Sequence, residues 1–364
     1  MYRKDAIVVG EWIRNSNKAL LVTGARQTGK TWLIRDEIEK SGYTKFELNF
    51  IDQPDMVSYL NAEMSAEEFL IKLKMIMPED CKVHETVVFF DEIQKCPEIV
   101  TKIKFLVDEG SFKYVMSGSL LGVELKGIAS APVGYLTVLR MYPMDFEEFM
   151  VANNVSTTTL DMLEDKFKTV SPIEEFIHQK LLAMFFVYLI VGGMPDAVKT
   201  YIETKDIREV DRVQRDITTL YKEDFSQYEL EDRKLKLKSI YDIIPAELDK
   251  QNKKFVFTML NKELKFERYE NSFLWLKDAG VALPVYNVDA PVIPLLASKS
   301  SNVFRLFSSD IGLLTSAYPA ETKIELINKN GEVNNGAHFE NAVAQQLTCL
   351  LYTSPSPRDI SGSR

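Results

Sequence analysis

The fold of this chain is decided by one stretch of sequence, Gly24-Ala25-Arg26-Gln27-Thr28-Gly29-Lys30-Thr31, a complete G-x-x-x-x-G-K-T motif. The short apolar run from Ala19 to Thr23 predicts a buried strand before it, and the apolar spacing from Trp32 to Ile38 predicts a helix after it. A phosphate-binding loop requires this strand–loop–helix context. The stretch therefore predicts a nucleotide site rather than a glycine turn in front of an ordinary helix.

The residue types in the loop suit phosphate chemistry. Its two glycines allow the backbone to curl so that successive N–H groups point inward, where the helix N-terminus adds positive potential. Lys30 is then placed to reach the β- and γ-phosphates, and the Thr31 hydroxyl is placed to bind Mg²⁺. The sequence thus predicts ATP and Mg²⁺ as the ligands of this loop.

A second chemical signal lies about 60 residues further on, where the apolar run Thr86 to Phe90 ends in Asp91 and Glu92. A continuous apolar run predicts a buried parallel strand, which would deliver both carboxylates to the C-terminal edge of a sheet. In such sites the first acid holds Mg²⁺ and the second is placed to activate an attacking water. We therefore predict Asp91 as a metal ligand and Glu92, with Lys30, as a catalytic residue.

Further strands are predicted on both sides of these motifs, at residues 45–50, 113–116 and 133–141, and helices are predicted between them, one of them capped by Ser65. This alternation predicts an α/β fold with a parallel sheet and helices on both faces. The strand at 113–116 ends in Ser117-Gly118-Ser119, where Ser117 or Ser119 would contact the γ-phosphate. A serine-rich turn without that role is the alternative.

Bulk composition is that of an ordinary globular protein, with 364 residues, 46% hydrophobic and 27% charged. A net charge of −9 argues against nucleic-acid binding over the whole surface. The three cysteines and three histidines show no disulfide or zinc spacing. The first residues do not predict a signal peptide, and the longest apolar run, 181–194, is too short to span a bilayer. We therefore expect a cytoplasmic protein with no membrane association.

Besides the loop, several motifs follow one another along the chain, namely Phe89 to Pro97, Ser117 to Gly122, Tyr142 to Phe149, Gly192-Gly193-Met194-Pro195, Tyr221 to Phe225 and Trp275 to Gly280. These motifs and their order resemble one group of prokaryotic AAA-type P-loop ATPases. Members of this group join an ATPase core to a C-terminal domain of unknown function. The resemblance implies an additional-strand, catalytic-glutamate P-loop fold with Lys30, Thr31, Asp91 and Glu92 in their usual roles. Arg26 belongs to the family pattern, either as a phosphate contact or as a solvated packing residue.

Downstream of a predicted ATPase core at 1–150, residues 151–230 predict a helical lid or connector, and residues 231–300 predict a winged-helix-like module. That module begins with a basic helix from Arg233 to Tyr241 and contains further lysines up to Arg268. Local positive charge on a winged helix would bind DNA through phosphates. The interleaved acids favour an interdomain packing module instead. Self-association or a protein partner is a further expectation.

The remaining sequence predicts the start of a C-terminal α/β domain at 301–348 and a tail at 349–364. In relatives this domain resembles a restriction-nuclease-like fold and continues with acidic and lysine-bearing strands, so a truncated domain is expected, in which Glu340 alone cannot build a metal site. The tail turns abruptly to Ser, Pro, Arg and Gly, and it resembles translated sequencing-adaptor read-through. A native disordered tail is the alternative.

Two hypotheses of function follow from these motifs. The first is an Mg²⁺-dependent ATPase that acts as an ATP-driven switch. The second is a nucleic-acid-binding regulator that uses ATP as a ligand with little turnover. The two differ on Glu92, whose replacement would abolish turnover under the first hypothesis and change little under the second. A metabolite kinase would need an acceptor pocket with its own signature, which the sequence does not show.

Overall fold

A computed structural model describes most of the chain, namely residues 1–60, 64–119, 134–227, 231–250, 270–290, 293, 298–327 and 335–353. The chain forms two compact units. The first comprises Arg3–Tyr142, and the second comprises Pro143–Arg364 together with Met1–Tyr2. In the described part of the chain, no helix combines the length and the apolar character that crossing a lipid bilayer requires.

The first unit contains a five-stranded sheet with helices between its strands. Its strands are β1 (Ala19–Thr23), β2 (Thr44–Asn49), β3 (Thr86–Asp91), β4 (Lys113–Gly118) and β5 (Leu136–Arg140). Its described helices are α1 (Asp5–Asn15), α2 (Lys30–Ser41), α3 (Pro54–Leu60), α4 (Ala66–Ile76) and α5 (Glu98–Glu109). Helix α4 begins at a capping box formed by Ser65 and Glu68, which confirms the predicted cap.

The sheet has the strand order β2-β3-β4-β1-β5, and every paired strand runs parallel to its neighbour. Strand β4 therefore lies between β1, which leads into the loop, and β3, which ends in the two acids. This inserted strand is the additional strand that the family resemblance implied. The predicted α/β fold with a parallel P-loop sheet is confirmed.

Apolar cores lie on both faces of the sheet, because successive side chains of each buried strand point to opposite sides. One core joins alternate strand residues to α1 and α2, through Val9, Trp12, Leu33 and Ile38. The other joins the remaining strand residues to α4 and α5, through Phe69, Leu73, Ile99 and Leu106. Two covered faces hold the strands rigidly, so their C-terminal ends form a fixed edge for a site.

The second unit is mainly helical. Its described helices are α6 (Phe146–Ala152), α7 (Thr157–Lys168), α8 (Glu175–Val191), α9 (Pro195–Thr204), α10 (Ile207–Gln227), α11 (Glu231–Leu248), α12 (Glu270–Asp278), α13 (Ile311–Ser316), α14 (Ala320–Ile327) and α15 (Gly336–Thr353). Two antiparallel strands, β6 (Ala282–Val288) and β7 (Lys299–Ser308), form a separate ribbon. Between residues 151 and 227 the described chain is mainly helical, and the role of this region as a lid or connector stays a prediction.

Three boundaries that were predicted from the sequence differ from the boundaries of the helices and strands in this unit. Helix α11 continues through Pro245 to Leu248, although the basic helix was predicted to end at Tyr241. The proline lacks one backbone N–H, but this loss does not end a helix that is packed on one of its faces. The predicted boundary at 300 falls inside β7, which pairs with β6. Helix α15 includes the first five residues of the predicted tail, and Cys349 is buried. The winged-helix-like module stays a prediction, since residues 251–269 lie outside the described residues, as do 354–364 of the tail.

Two motifs that are far apart in sequence meet in the second unit. The Gly192-Gly193 pair at the end of α8 packs against the turn that starts α13, and a Cβ at Gly192 would overlap the Asp310 carboxylate. A Cβ at Gly312 would likewise overlap the Val191 carbonyl. Gln214 donates to the carbonyls of Ile190 and Val191 at 2.8 and 2.9 Å, which satisfies the end of α8. Small residues are needed here because two backbones touch.

Asp310 lies at the centre of this contact and is completely buried. Its carboxylate accepts hydrogen bonds from the backbone N–H groups of Gly193 and Leu313 at 2.6 and 3.0 Å, and from the Gln345 amide at 3.3 Å. Burial nevertheless raises the pKa of Asp310 from 3.8 to about 6, against the opposing effect of these donors. The buried acid therefore links the stability of this unit to pH.

We expect the stability that Asp310 contributes to fall as pH rises. A carboxyl whose folded-state pKa is raised binds its proton more tightly in the folded state, so its contribution is complete below about pH 4 and is lost through about pH 6. Between pH 4.5 and 7 the wild type should lose about 2 kcal/mol relative to Asp310→Asn, which does not titrate. Thermal unfolding of both proteins over this pH range measures the difference, and a difference that is constant with pH would contradict the linkage.

Candidate active site

The loop of residues 24–31 lies between β1 and α2 and has the backbone of a tight anion cradle. Gly24 and Gly29 have φ angles of 140° and 90°, which L side chains rarely adopt, and Gln27 has a φ of 62°. A Cβ at Gly24 would overlap the carbonyl oxygen of Met141, which follows β5. The Thr28 hydroxyl donates to the Ala25 carbonyl at 3.0 Å and closes the loop. Both glycines are therefore required by geometry, as the motif predicted.

Lys30 is the first residue of α2 and is 7% exposed. Its Nζ donates to the carbonyl oxygens of Gly24 and Ala25 at 3.1 and 2.7 Å, so the ammonium lies within the curve of the loop. Burial lowers the pKa of Lys30 from 10.5 to about 8, and the carboxylates of Glu92 and Asp91 oppose that effect. A ligand with negative charge at this place would favour the protonated lysine.

The Thr31 hydroxyl lies next to the Asp91 carboxylate, at 3.1 and 3.0 Å from its two oxygens. The structure thus brings together the two residues that were predicted to hold the metal. Asp91 is 2% exposed and is also hydrogen-bonded by the Ser117 hydroxyl. Ser117 therefore contacts the predicted metal ligand, while its predicted contact with the γ-phosphate stays a prediction.

Asn49, at the end of β2, is a further partner of Asp91 that was not predicted from sequence. Its Nδ2 donates to Asp91 Oδ2 at 3.1 Å, and its Oδ1 accepts from the backbone N–H groups of Ile51 and Asp52 at 2.9 and 3.1 Å. The two N–H donors fix the direction of the amide. A polar residue at the end of a predicted strand was the only available signal, and many strand ends carry one.

Glu92 follows Asp91 in the left-handed backbone region, with φ 55° and ψ 45°. This conformation is uncommon for a residue with a side chain and turns the chain sharply at the end of β3. Its carboxylate accepts a hydrogen bond from Gln94 Nε2 at 2.5 Å, and the same amide lies 3.4 Å from the Ser119 hydroxyl. Glu92 is half-buried, whereas Gln94 and Ser119 are buried.

The predicted site residues therefore fall into two groups, those at the strand ends and those within the loop. Lys30, Thr31, Asp91, Glu92 and Ser117 converge at the C-terminal ends of β1, β3 and β4, and Ser119 joins them through Gln94. Within the loop, Arg26 is half-buried and Gln27 is exposed. Burial is the main cause that lowers the pKa of Lys30, and the charge of Arg26 acts in the same direction.

Arg3 supports the loop from outside and was also missed by sequence reasoning. The side chain is 4% exposed, and its guanidinium donates to the carbonyl oxygens of Thr28 at 3.2 Å and Tyr142 at 2.6 Å. The Asp5 carboxylate lies 3.7 Å from the same guanidinium. A lone arginine just before α1 carries no motif, so only the folded chain reveals this contact.

We expect Arg3→Ala to weaken nucleotide binding and to destabilise the first unit. Two buried carbonyl oxygens would lose a charged donor, which costs about 1–3 kcal/mol, and the loop backbone at Thr28 would lose its support. Thermal unfolding and ATP titration by calorimetry measure the two effects. Arg14→Ala, on an exposed position of α1, is the matched control. Equal behaviour of the two variants would show that Arg3 does not hold the loop.

The fold and the site define a P-loop NTPase-type unit, and comparison with known families gives its class. Residues 16–150 match the model of an AAA domain, and residues 183–324 match that of a domain of unknown function (DUF8612). The chain thus combines an AAA-type P-loop domain with a domain of unknown function, as its motifs predicted. The AAA domain supports ATP binding.

The solved structures that the comparison matches to this chain are distant in sequence. The Walker-type ATPase paby2304 of Pyrococcus abyssi is 13% identical, with a TM-score of 0.47, over 86% of this chain and 95% of that protein. AMPPCP-bound DnaA from Aquifex aeolicus is 12% identical, with a TM-score of 0.36, over 75% and 84% of the two chains. Cdc6p from Pyrobaculum aerophilum is 12% identical, with a TM-score of 0.30, over 90% and 92%. No curated protein matches this chain.

Proposed function

We propose that this chain is an Mg²⁺-dependent ATPase that acts as an ATP-driven switch. The observation that carries the proposal is the convergence of four functional groups at one edge of the sheet. The Lys30 ammonium lies in the loop, the Thr31 hydroxyl contacts the Asp91 carboxylate, and the Glu92 carboxylate follows Asp91 directly. A phosphate-binding loop that served only to hold a nucleotide would not need the second acid.

The oxygen donors at this edge fit Mg²⁺, which prefers hard oxygen ligands and usually keeps several waters. Thr31 and Asp91 would hold the ion, and Asn49 and Ser117 would orient the Asp91 carboxylate. When bound, the ion offsets the charge that develops on the phosphates. Among the described residues, no cluster of three or more His, Cys, Asp or Glu side chains offers a different metal site.

The residues of this chain would then divide the reaction between them. The loop N–H groups and Lys30 bind and orient the phosphates, while the Glu92 carboxylate accepts a proton from the attacking water. The water oxygen forms a bond to the γ-phosphorus as the bond from that phosphorus to the bridging oxygen breaks. ADP and inorganic phosphate leave, and the proton taken by Glu92 passes to solvent.

The proposed switch role is supported by the contacts of the phosphate-binding loop with residues at the end of the first unit. The loop backbone contacts Met141 through Gly24, and Arg3 joins Thr28 to Tyr142, so the loop is tied to the last residues of the first unit. A change of the loop on hydrolysis would therefore reach the start of the second unit at Pro143. This is the property that a nucleotide-driven switch requires.

Phosphate release from ATP by the unmodified chain tests the proposal. We expect turnover that requires Mg²⁺ and stops when EDTA is added, because the Thr31 hydroxyl and the Asp91 carboxylate are the oxygen ligands that would hold the ion. ATP binding without phosphate release, together with DNA binding that weakens steeply with salt, would instead favour the nucleic-acid-binding regulator. Ion pairs such as that of Lys250 with Glu247 reduce the free positive charge of the predicted winged-helix-like module at residues 231–300.

A further inference from the structure

Gln94 is a buried polar residue that the assigned roles of the site do not use. It lies in the short 3₁₀ turn Ile93–Lys95, directly after the left-handed Glu92, and it is 6% exposed. Its side-chain amide donates to Glu92 Oε2 at 2.5 Å and lies 3.4 Å from the Ser119 hydroxyl. The side chain thus bridges the ends of β3 and β4, the two strands that carry the acids and the serines.

The direction of this amide is fixed by chemistry. An ionised carboxylate only accepts hydrogen bonds, so the NH₂ group of Gln94 must face Glu92. The carbonyl oxygen Oε1 then faces the other way, where it is buried and has no hydrogen-bond partner among the described residues. A buried acceptor without a partner destabilises a protein, because it has lost its hydrogen bonds to water.

A residue with only a structural role at this position would not need a buried carbonyl oxygen that lacks a hydrogen bond. Methionine has nearly the same length, fills irregular gaps and has no strong acceptor to leave unsatisfied. The amide is therefore explained by what its NH₂ group does, which is to hold Glu92. Glu92 is half-buried on a strained turn, so without Gln94 its carboxylate could rotate to other orientations and bond to water.

We propose that Gln94 is a positioning residue for ATP hydrolysis, which fixes one oxygen of the Glu92 carboxylate and leaves the other directed to accept the proton of the attacking water. The inference rests on the proposed ATPase function. Gln94 would then act together with Asp91 and Glu92. The buried contact between the Gln94 amide and the Ser119 hydroxyl would hold the Gln94 side chain in place.

The test is Gln94→Met, compared with the wild type and with Gln179→Met, the same substitution at an exposed position of α8. We expect Gln94→Met to reduce kcat by about 10- to 100-fold, as loss of an orienting partner does, while the Kd for ATP stays within about twofold. The melting temperature should stay equal or rise, because the unsatisfied carbonyl is removed. A structural residue would lose stability, binding and turnover together.

The outcomes separate this inference from the proposed function. If the wild type hydrolyses ATP and Gln94→Met does so at an equal rate, the positioning role is wrong although the ATPase assignment stands. If Gln94→Met melts lower and binds ATP more weakly in proportion to its lost turnover, Gln94 is a structural residue and the inference is overturned. If the wild type binds ATP without hydrolysing it, both the proposed function and this inference are wrong.

Discussion

Glu92→Gln is expected to reduce ATP turnover by at least about a hundredfold while ATP binding is retained, since a positioned general base contributes about 10²–10⁴-fold. Glutamine has the same shape as glutamate and keeps an oxygen to accept from Gln94 Nε2, so the turn at the end of β3 should persist. It cannot take a proton from water. The loss therefore falls on the chemical step and spares the loop that binds the phosphates.

Steady-state phosphate release and calorimetric ATP titration measure the two quantities separately. Glu98→Gln, the same substitution at an exposed position of α5, is the matched control and should behave like the wild type. Turnover by Glu92→Gln at the wild-type rate would remove Glu92 from the reaction. Loss of ATP binding would show instead that the side chain holds the loop.

Lys30→Ala is expected to weaken ATP binding by about 10- to 150-fold, because a charged hydrogen bond is worth about 1.5–3 kcal/mol. The Lys30 ammonium lies inside the loop on the carbonyls of Gly24 and Ala25, and burial already lowers its pKa to about 8. Such a buried cation interacts strongly with phosphate in low dielectric. Alanine removes this charge together with its hydrogen bonds to the two loop carbonyls.

Competition of a fluorescent ATP analogue with ATP measures this loss. Lys40→Ala is the matched control, since Lys40 lies at the other end of the same helix and pairs with Asp36 and Glu37 at the surface. Exposed pairs of this kind contribute little, so its ATP affinity should equal that of the wild type. Equal affinities for Lys30→Ala and the wild type would mean that the loop does not bind the phosphates through Lys30.

Much of the first unit could be predicted from sequence because its signals are local. A continuous apolar run with one polar end, such as Thr86 to Asp91, predicts a buried parallel strand and the edge at which its carboxylate lies. The loop motif then fixes where nucleotide chemistry occurs. The additional strand came from the family resemblance, and the structure shows it as β4 between β1 and β3.

The residues that sequence reasoning missed act through contacts across the fold. Arg3 reaches Thr28 and Tyr142, which are 25 and 139 positions away, and no local pattern announces such a contact. Asn49 and Gln94 are ordinary polar residues in the sequence, until the pairing of β2 with β3 brings Asn49 beside Asp91 and the pairing of β3 with β4 brings Gln94 beside Ser119. In the second unit, the partnership of Asp310 with Gly193 joins two motifs that the sequence showed only as separate stretches.

The central claim, that Glu92 drives hydrolysis of ATP bound at this loop, is tested most directly by a single turnover. The protein is mixed in excess with γ-labelled ATP and Mg²⁺, and the fraction converted to phosphate is followed by rapid quench for the wild type and Glu92→Gln. We expect the wild type to convert its bound ATP to ADP and phosphate, while Glu92→Gln keeps ATP bound and unchanged. Conversion at the same rate in both proteins, or bound ATP that stays intact in both, would contradict the claim.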